Sequence, residues 1–213
     1  MVLRYDLSGF GANDARPGHS PGEIYSTAGR ADVAAGVAHL HRLGCEKVVV
    51  VGFCAGGWAA LRGRYTVPPT EIVAINVELF ARSRRWMRRP ARSAHAPTRW
   101  RRRAGRLWQR VVRKADVLPP ARRWLRRLTT SGTTVRLVYD VDDPGHVHFR
   151  SFVARMLRPA PTGADVTVQT FAALGHLTEG PDAAVMFAYV ASLVDDVAGI
   201  AAGPDVDDLE DVA

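Results

Sequence analysis

The sequence predicts an α/β fold, a mostly parallel sheet of about five strands with helices packed on it and one basic helical insertion. Three observations carry that expectation. Short apolar runs rich in valine and isoleucine alternate with longer stretches of helical periodicity. One run, Lys47 to Val51, ends in a glycine-rich turn from which a helix starts at once. A dense block of arginines then separates two stretches of this alternation.

Taken in order, Val2 to Asp6 (VLRYD) reads as a short strand leading into the glycine-rich turn LSGFGAND, with Asp6 expected to bond the turn's backbone amides. Glu23 to Leu43 reads as a helix whose stripe is Val33, Val37 and Leu40, with Gly44 at its end as the C′ residue. His39 and His41 lie on that helix, far from any other ligand candidate, and are expected at the surface. The four valines Val48 to Val51 suit a strand buried on both faces, and a helix follows Cys54. Glu71 to Val77 (EIVAINV) is the next strand. After the basic block come a strand from Thr133 to Tyr139, a helix from Val147 to Leu157, a strand from Asp165 to Phe171 and a last helix from Pro181 to Val197. Residues 1–81 and 128–200 would form the core, 82–127 the insertion and 201–213 a disordered acidic tail.

At 213 residues the chain can bury one substantial core. Its net charge of +8 hides a strong asymmetry. The segment from Arg82 to Arg127 holds 18 of the 29 Lys+Arg residues and a single acid, Asp116, while the remainder is acidic. Two cysteines and no signal-peptide pattern point to a reducing, cytoplasmic setting. No apolar run approaches the ~20 residues of a membrane span. A Cys45–Cys54 bridge would have to reach along most of the intervening strand and is not expected.

The chemistry-bearing stretch is KVVVVGFCAGGW, Lys47 to Trp58. Its centre, Gly52-Phe53-Cys54-Ala55-Gly56, is G-x-nucleophile-x-G at a strand–turn–helix junction, the nucleophile elbow with cysteine in place of the commoner serine. A sharply turned, strained central residue needs neighbours nearly free of side chain, hence Gly52 and Gly56. Glycine-rich turns also bind phosphate, but neither G-K-[ST] nor G-x-G-x-x-G is present here. A buried structural cysteine is the competing reading of Cys54.

This run resembles the α/β-hydrolase superfamily, and GFCxGG is similar to its dienelactone-hydrolase branch, which uses a Cys-Asp-His triad. The resemblance implies a nucleophile, an acid after a later strand and a histidine after the last. Both places are filled, by Asp143 in VDDPG after the strand VRLVYD, and by His176 in ALGH after the strand VTVQTF. Asp142 and Asp140 compete with Asp143 for the acid, and His146 and His148 are weaker candidates for the base. The backbone N–H of Ala55 would serve the oxyanion hole. The implied reaction is hydrolysis of an ester or thioester through a covalent acyl-cysteine, or acyl transfer by the same route. No cofactor is expected.

The resemblance further implies that RYDLSGFGAND matches the family's fourth strand and loop, so that the preceding strands and the second oxyanion donor they carry are missing from this chain. It also makes the arginine block a lid. Within it Trp100, Leu107, Trp108 and Val111 share one helical face, and Ala121 to Leu128 makes a shorter helix with Trp124, Leu125 and Leu128 inward. Arg99 to Lys114, with Arg101, Arg102 and Arg103 beside Trp100, could instead attract an anionic carrier thioester, a membrane surface or nucleic acid. A catalytically silent protein binding anionic partners through this lid is the alternative function.

Overall fold

The computed structural model describes residues 1–23, 25–79, 121–150, 166–174, 180 and 182–199, without the side chains of His148 and Ala198. The lid helix around Trp100 to Ala115, most of the expected helix from Val147 to Leu157, His176 and the acidic tail fall outside the described residues.

The first helix, α1, spans Thr27–Arg42. It starts later than Glu23 because Ser26 caps it, its side chain accepting from Gly29 N at 2.9 Å. Strand β1 is Val49–Phe53, helix α2 is Ala55–Arg62 and strand β2 is Glu71–Ile75. Residues 121–130 are helical (α3). Strand β3 is Thr134–Asp140, helix α4 is Pro144–His148, strand β4 is Val166–Phe171 and helix α5 is Ala183–Ala198. Helix α4 opens three residues earlier than expected, because Asp143 caps it and Pro144 pre-sets its first turn.

The four strands lie in the order β1-β2-β3-β4, all parallel. Alternate residues feed two cores. Ile72, Ala74, Leu137 and Tyr139 face the core built with Trp58, Leu61, Trp124, Leu125 and Leu128 from α2 and α3. Val73, Ile75 and Val138 face a second core with Met186, Val190 and Leu193 of α5. Helices on both faces explain why every residue of β2 is buried. Trp124, Leu125 and Leu128 point inward as their spacing predicts, so this piece of the basic segment is part of the body's core.

Two expectations fail together. Val2 to Asp6 forms no strand, so the described sheet has four strands rather than five. Among the described residues nothing pairs on the outer side of β1, which is the edge strand of the described sheet. Val51 and Phe53 are exposed, and the strand is not buried on both faces as its valine run predicts. A groove of about 450 Å³ separates the first residues, Val2 to Tyr5, from β1. Apolar composition reports which residues favour burial, and the neighbour that would bury them must come from elsewhere. In the turn after Asp6, Asn13 Nδ2 donates to the Asp6 carbonyl at 3.0 Å, and the Asp6 carboxylate occupies the space beside Gly11, whose φ is +56°.

Candidate active site

A parallel sheet brings the carboxyl ends of its strands to one rim, and Cys54, Asn76 and Asp143 follow β1, β2 and β3 there. Cys54 sits between β1 and α2 with φ 44° and ψ −107°, a conformation that costs a non-glycine residue about 1–3 kcal/mol. The turn is pinned on both sides. Cys54 N donates to Ile75 O at 2.8 Å, and Trp58 N donates to Cys54 O at 3.0 Å, opening the helix.

The glycines explain how so sharp a turn packs. A Cβ on Gly52 would lie 2.5 Å from Gly57 N and 2.6 Å from Gly56 C, so the start of α2 rests directly on the end of β1. The second crowded position is Gly57, where a Cβ would meet Gly52 O at 2.7 Å and the Ala74 Cβ at 3.2 Å. A Cβ on Gly56 would meet nothing within 4 Å. The steric demand the pattern assigns to Gly56 therefore belongs to its neighbour, because α2 turns position 56 outward and position 57 onto the sheet.

Ala55 is the first residue of α2, where a helix leaves its backbone N–H groups without intrahelical acceptors. Above it stands Tyr25, whose hydroxyl is 3.4 Å from Cys54 Sγ. Tyr25 also has a left-handed backbone, φ 64°, and its ring meets Trp58 edge-on at 5.2 Å between centroids. A cavity of about 270 Å³ adjoins Ala55 and Tyr25, with Leu7, Phe10 and Ser26 in its walls. Sequence reasoning missed Tyr25, since an isolated tyrosine before a helix has no local signature, and only the fold brings it back over the elbow.

On the acid side, Asp143 is 4% exposed and Asp142 is exposed, so burial separates the two. Asp143 Oδ1 accepts from Gly145 N at 2.6 Å and so caps α4. Gly145 is needed there, because a Cβ would lie 2.8 Å from that carboxylate oxygen and 2.9 Å from Val77 O. Asp140 is buried too, but one of its oxygens accepts from Asp142 N at 2.7 Å, and its own N–H donates to Asn76 Oδ1 at 2.9 Å. Asn76, buried and at φ 48°, thereby ties the ends of β2 and β3 together. Burial, then the Asp143 charge, pushes the Tyr139 phenol well above its ordinary value.

His146, a weaker candidate for the base, is buried and stacked on Tyr139, and its Nδ1 bonds Val141 O at 2.8 Å. His176 lies outside the described residues. The residues on either side of it are pinned, with Gly180 N donating to Leu174 O at 2.9 Å and Ala173 N to Asp182 Oδ2 at 3.0 Å. Gly180 has no room for a side chain, since a Cβ would lie 2.0 Å from Ala173 O. On the opposite face of the site, buried Asp32 accepts from Ser8 N at 2.8 Å and pairs with Arg16, fastening the N-terminal turn to α1. Cys45 and Cys54 are both free thiols. Among the described residues no group of three His, Cys, Asp or Glu side chains could hold a metal ion, and no helix is long and apolar enough to cross a membrane.

The chain is similar in structure to a carboxylesterase of the ammonia-oxidizing thaumarchaeon Nitrososphaera gargenis, with a TM-score of 0.43 and 13% identity, over 84% of this chain and 76% of that one. It is also similar to a probable hydrolytic enzyme of Pseudomonas aeruginosa, with a TM-score of 0.41 and 18% identity, over 89% of this chain and 74% of that one. No family model matches the sequence, and no curated protein does.

Proposed function

We propose that the protein hydrolyses a carboxylic ester or thioester through a covalent acyl-cysteine at Cys54. The observation that carries the reading is the strained backbone of Cys54, φ 44°, at a strand–helix junction whose glycines let the helix start rest on the strand. Strain at a non-glycine residue persists only where surrounding structure enforces it, and it gathers at functional positions. A purely structural cysteine gains nothing from such a conformation.

In the proposed sequence His176 accepts the Cys54 thiol proton as the sulfur attacks the substrate carbonyl carbon. The C=O electron pair moves onto oxygen, giving an oxyanion that accepts hydrogen bonds from Ala55 N–H and from the Tyr25 hydroxyl. Tyr25, 3.4 Å from Sγ, takes the part of a second donor beside Ala55 N–H. Collapse breaks the bond to the alcohol or thiol, which leaves with the proton from His176. Water, deprotonated by His176, then attacks the acyl-cysteine, releases the carboxylic acid and returns the proton to sulfur. Asp143, buried at the rim between the elbow and the last strand, orients His176.

The test is hydrolysis of short acyl esters and acyl thioesters by wild type, Cys54→Ala and Tyr25→Phe. Loss of the nucleophile should lower kcat by about 10³-fold or more. Loss of one oxyanion donor should lower it by about 10²–10³-fold with KM nearly unchanged. Equal rates for wild type and Cys54→Ala would refute the reading.

A further inference from the structure

At the end of α2 remote from Cys54, five arginines, Arg30, Arg62, Arg64, Arg123 and Arg127, line one open cavity of about 710 Å³. The eight residues of α2 rise about 12 Å. The cavity therefore lies toward the amino ends of the strands, beside Pro68 and Ser131, which precede β2 and β3. It is a place apart from the rim that carries the elbow. No carboxylate lines it among the described residues.

Gathering like charges in this way works against folding unless something offsets it. Burial, then Arg30 and Arg127, bring the Arg62 guanidinium down to about 10. Arg30 is lowered by burial and then by Arg64 and Arg127. The groups are also held in place. Arg62 lies between two indoles, 4.2 Å from the Trp58 ring centre and 4.4 Å from that of Trp124. Arg127 Nη2 donates to Gly63 O at 2.6 Å, which fixes its side chain and leaves the rest of its fork of donors for another acceptor. The Nε atoms of Arg30 and Arg62 are buried with no hydrogen-bond partner among the described residues.

We propose that this cavity binds a small molecule carrying at least two phosphate groups. Guanidinium forks match phosphate oxygens in bidentate geometry, so arginine rather than lysine is the fitting residue. Five positive charges call for more than one negative group, and the volume is within the range of small-molecule sites. The Tyr65 ring in the wall adds an aromatic surface for the rest of such a ligand. Among the described residues, the basic segment contributes Arg123 and Arg127 to this site.

Calorimetric titration of the full chain with inorganic pyrophosphate, and with sulfate at equal ionic strength, tests the proposal. Pyrophosphate should bind at least about tenfold tighter than sulfate, and exposed-site variants Arg64→Ala and Arg123→Ala should each weaken it by about tenfold. An unchanged Tm in both variants would exclude unfolding as the cause. The change Arg42→Ala, at an exposed arginine outside the described cavity wall, should alter affinity by less than about twofold. Absence of binding, equal affinity for sulfate, or equal weakening by Arg42→Ala would overturn the proposal. Displacement of pyrophosphate by a single-stranded oligonucleotide from wild type but not from Arg64→Ala would also overturn it, assigning the cavity to a nucleic-acid backbone.

Discussion

The cap that Asp143 makes and the role proposed for it in catalysis can be separated by substitution. Its carboxylate caps α4 through Gly145 N, and in the proposed mechanism it also orients His176. Asparagine caps a helix about as well as aspartate but cannot stabilise an imidazolium. Asp143→Asn should therefore leave Tm nearly unchanged while lowering kcat by about 10²–10⁴-fold, and Asp142→Asn should change neither by more than about twofold, as read by thermal melts and ester hydrolysis on the same preparations. The choice between these neighbours was legible in the sequence only as the Asp-Pro pair, because both side chains suit a turn. Burial separates them, and burial depends on Val77 and Gly145 closing over position 143. Tyr25 was not legible at all. Its hydroxyl reaches Cys54 Sγ across 29 positions of chain, and its ring meets Trp58 edge-on.

The elbow makes a sharper demand on helix α2 than its pattern suggests. Gly57→Ala would drive a Cβ to 2.7 Å from Gly52 O, with Ala74 behind it, and should lower stability by about 1–3 kcal/mol. Gly56→Ala meets open space in an exchange that favours helix, and should raise stability by up to about 1 kcal/mol. Denaturant melts of the two variants check the opposite signs. The junction itself was legible, since a valine run, glycines and an immediate helix leave few alternatives. Which glycine bears the load was not, because it depends on the angle at which α2 leaves the strand. The same limit applies to Val2 to Asp6 and to β1. Their residues suit strands, but no period in the sequence reports whether a partner lies within hydrogen-bonding reach.

Helices cover both faces of the described sheet, and two phenols packed beneath them donate to backbone carbonyls. Tyr139 Oη donates to Val77 O at 3.1 Å and Tyr65 Oη to Ala60 O at 2.6 Å. Burial pushes both phenols upward, and burial with the Asp32 charge pushes Tyr5 up to about 12. Tyr139 is fully buried, Tyr65 is partly buried and Tyr5 is 43% exposed, so Tyr139 contributes most and Tyr5 least. Their folded-state values are raised, so the folded state binds the proton that the unfolded state releases near pH 10. The stability they contribute is complete below pH 10 and is lost as pH rises through 10 to 12 and beyond. Arg62, lowered to about 10, has the opposite sign and offsets part of this loss. Urea midpoints should therefore fall steeply above pH 10, and Tyr65→Phe should make the fall shallower.

The succession of strands and helices was legible as short apolar runs alternating with helical stretches, and a parallel sheet with helical crossovers fixes which strand ends meet. That arrangement puts Cys54 at the rim where the carboxyl ends of the strands meet. The most direct measurement is intact-mass analysis of the protein mixed with a short acyl ester, stopped at early times by acid. An acyl adduct should form on Cys54, decay with turnover and be absent from Cys54→Ala, with the adduct persisting longer in His176→Gln. Turnover of the ester with no adduct on Cys54, or at the same rate in Cys54→Ala, would contradict the assignment of this residue as the nucleophile.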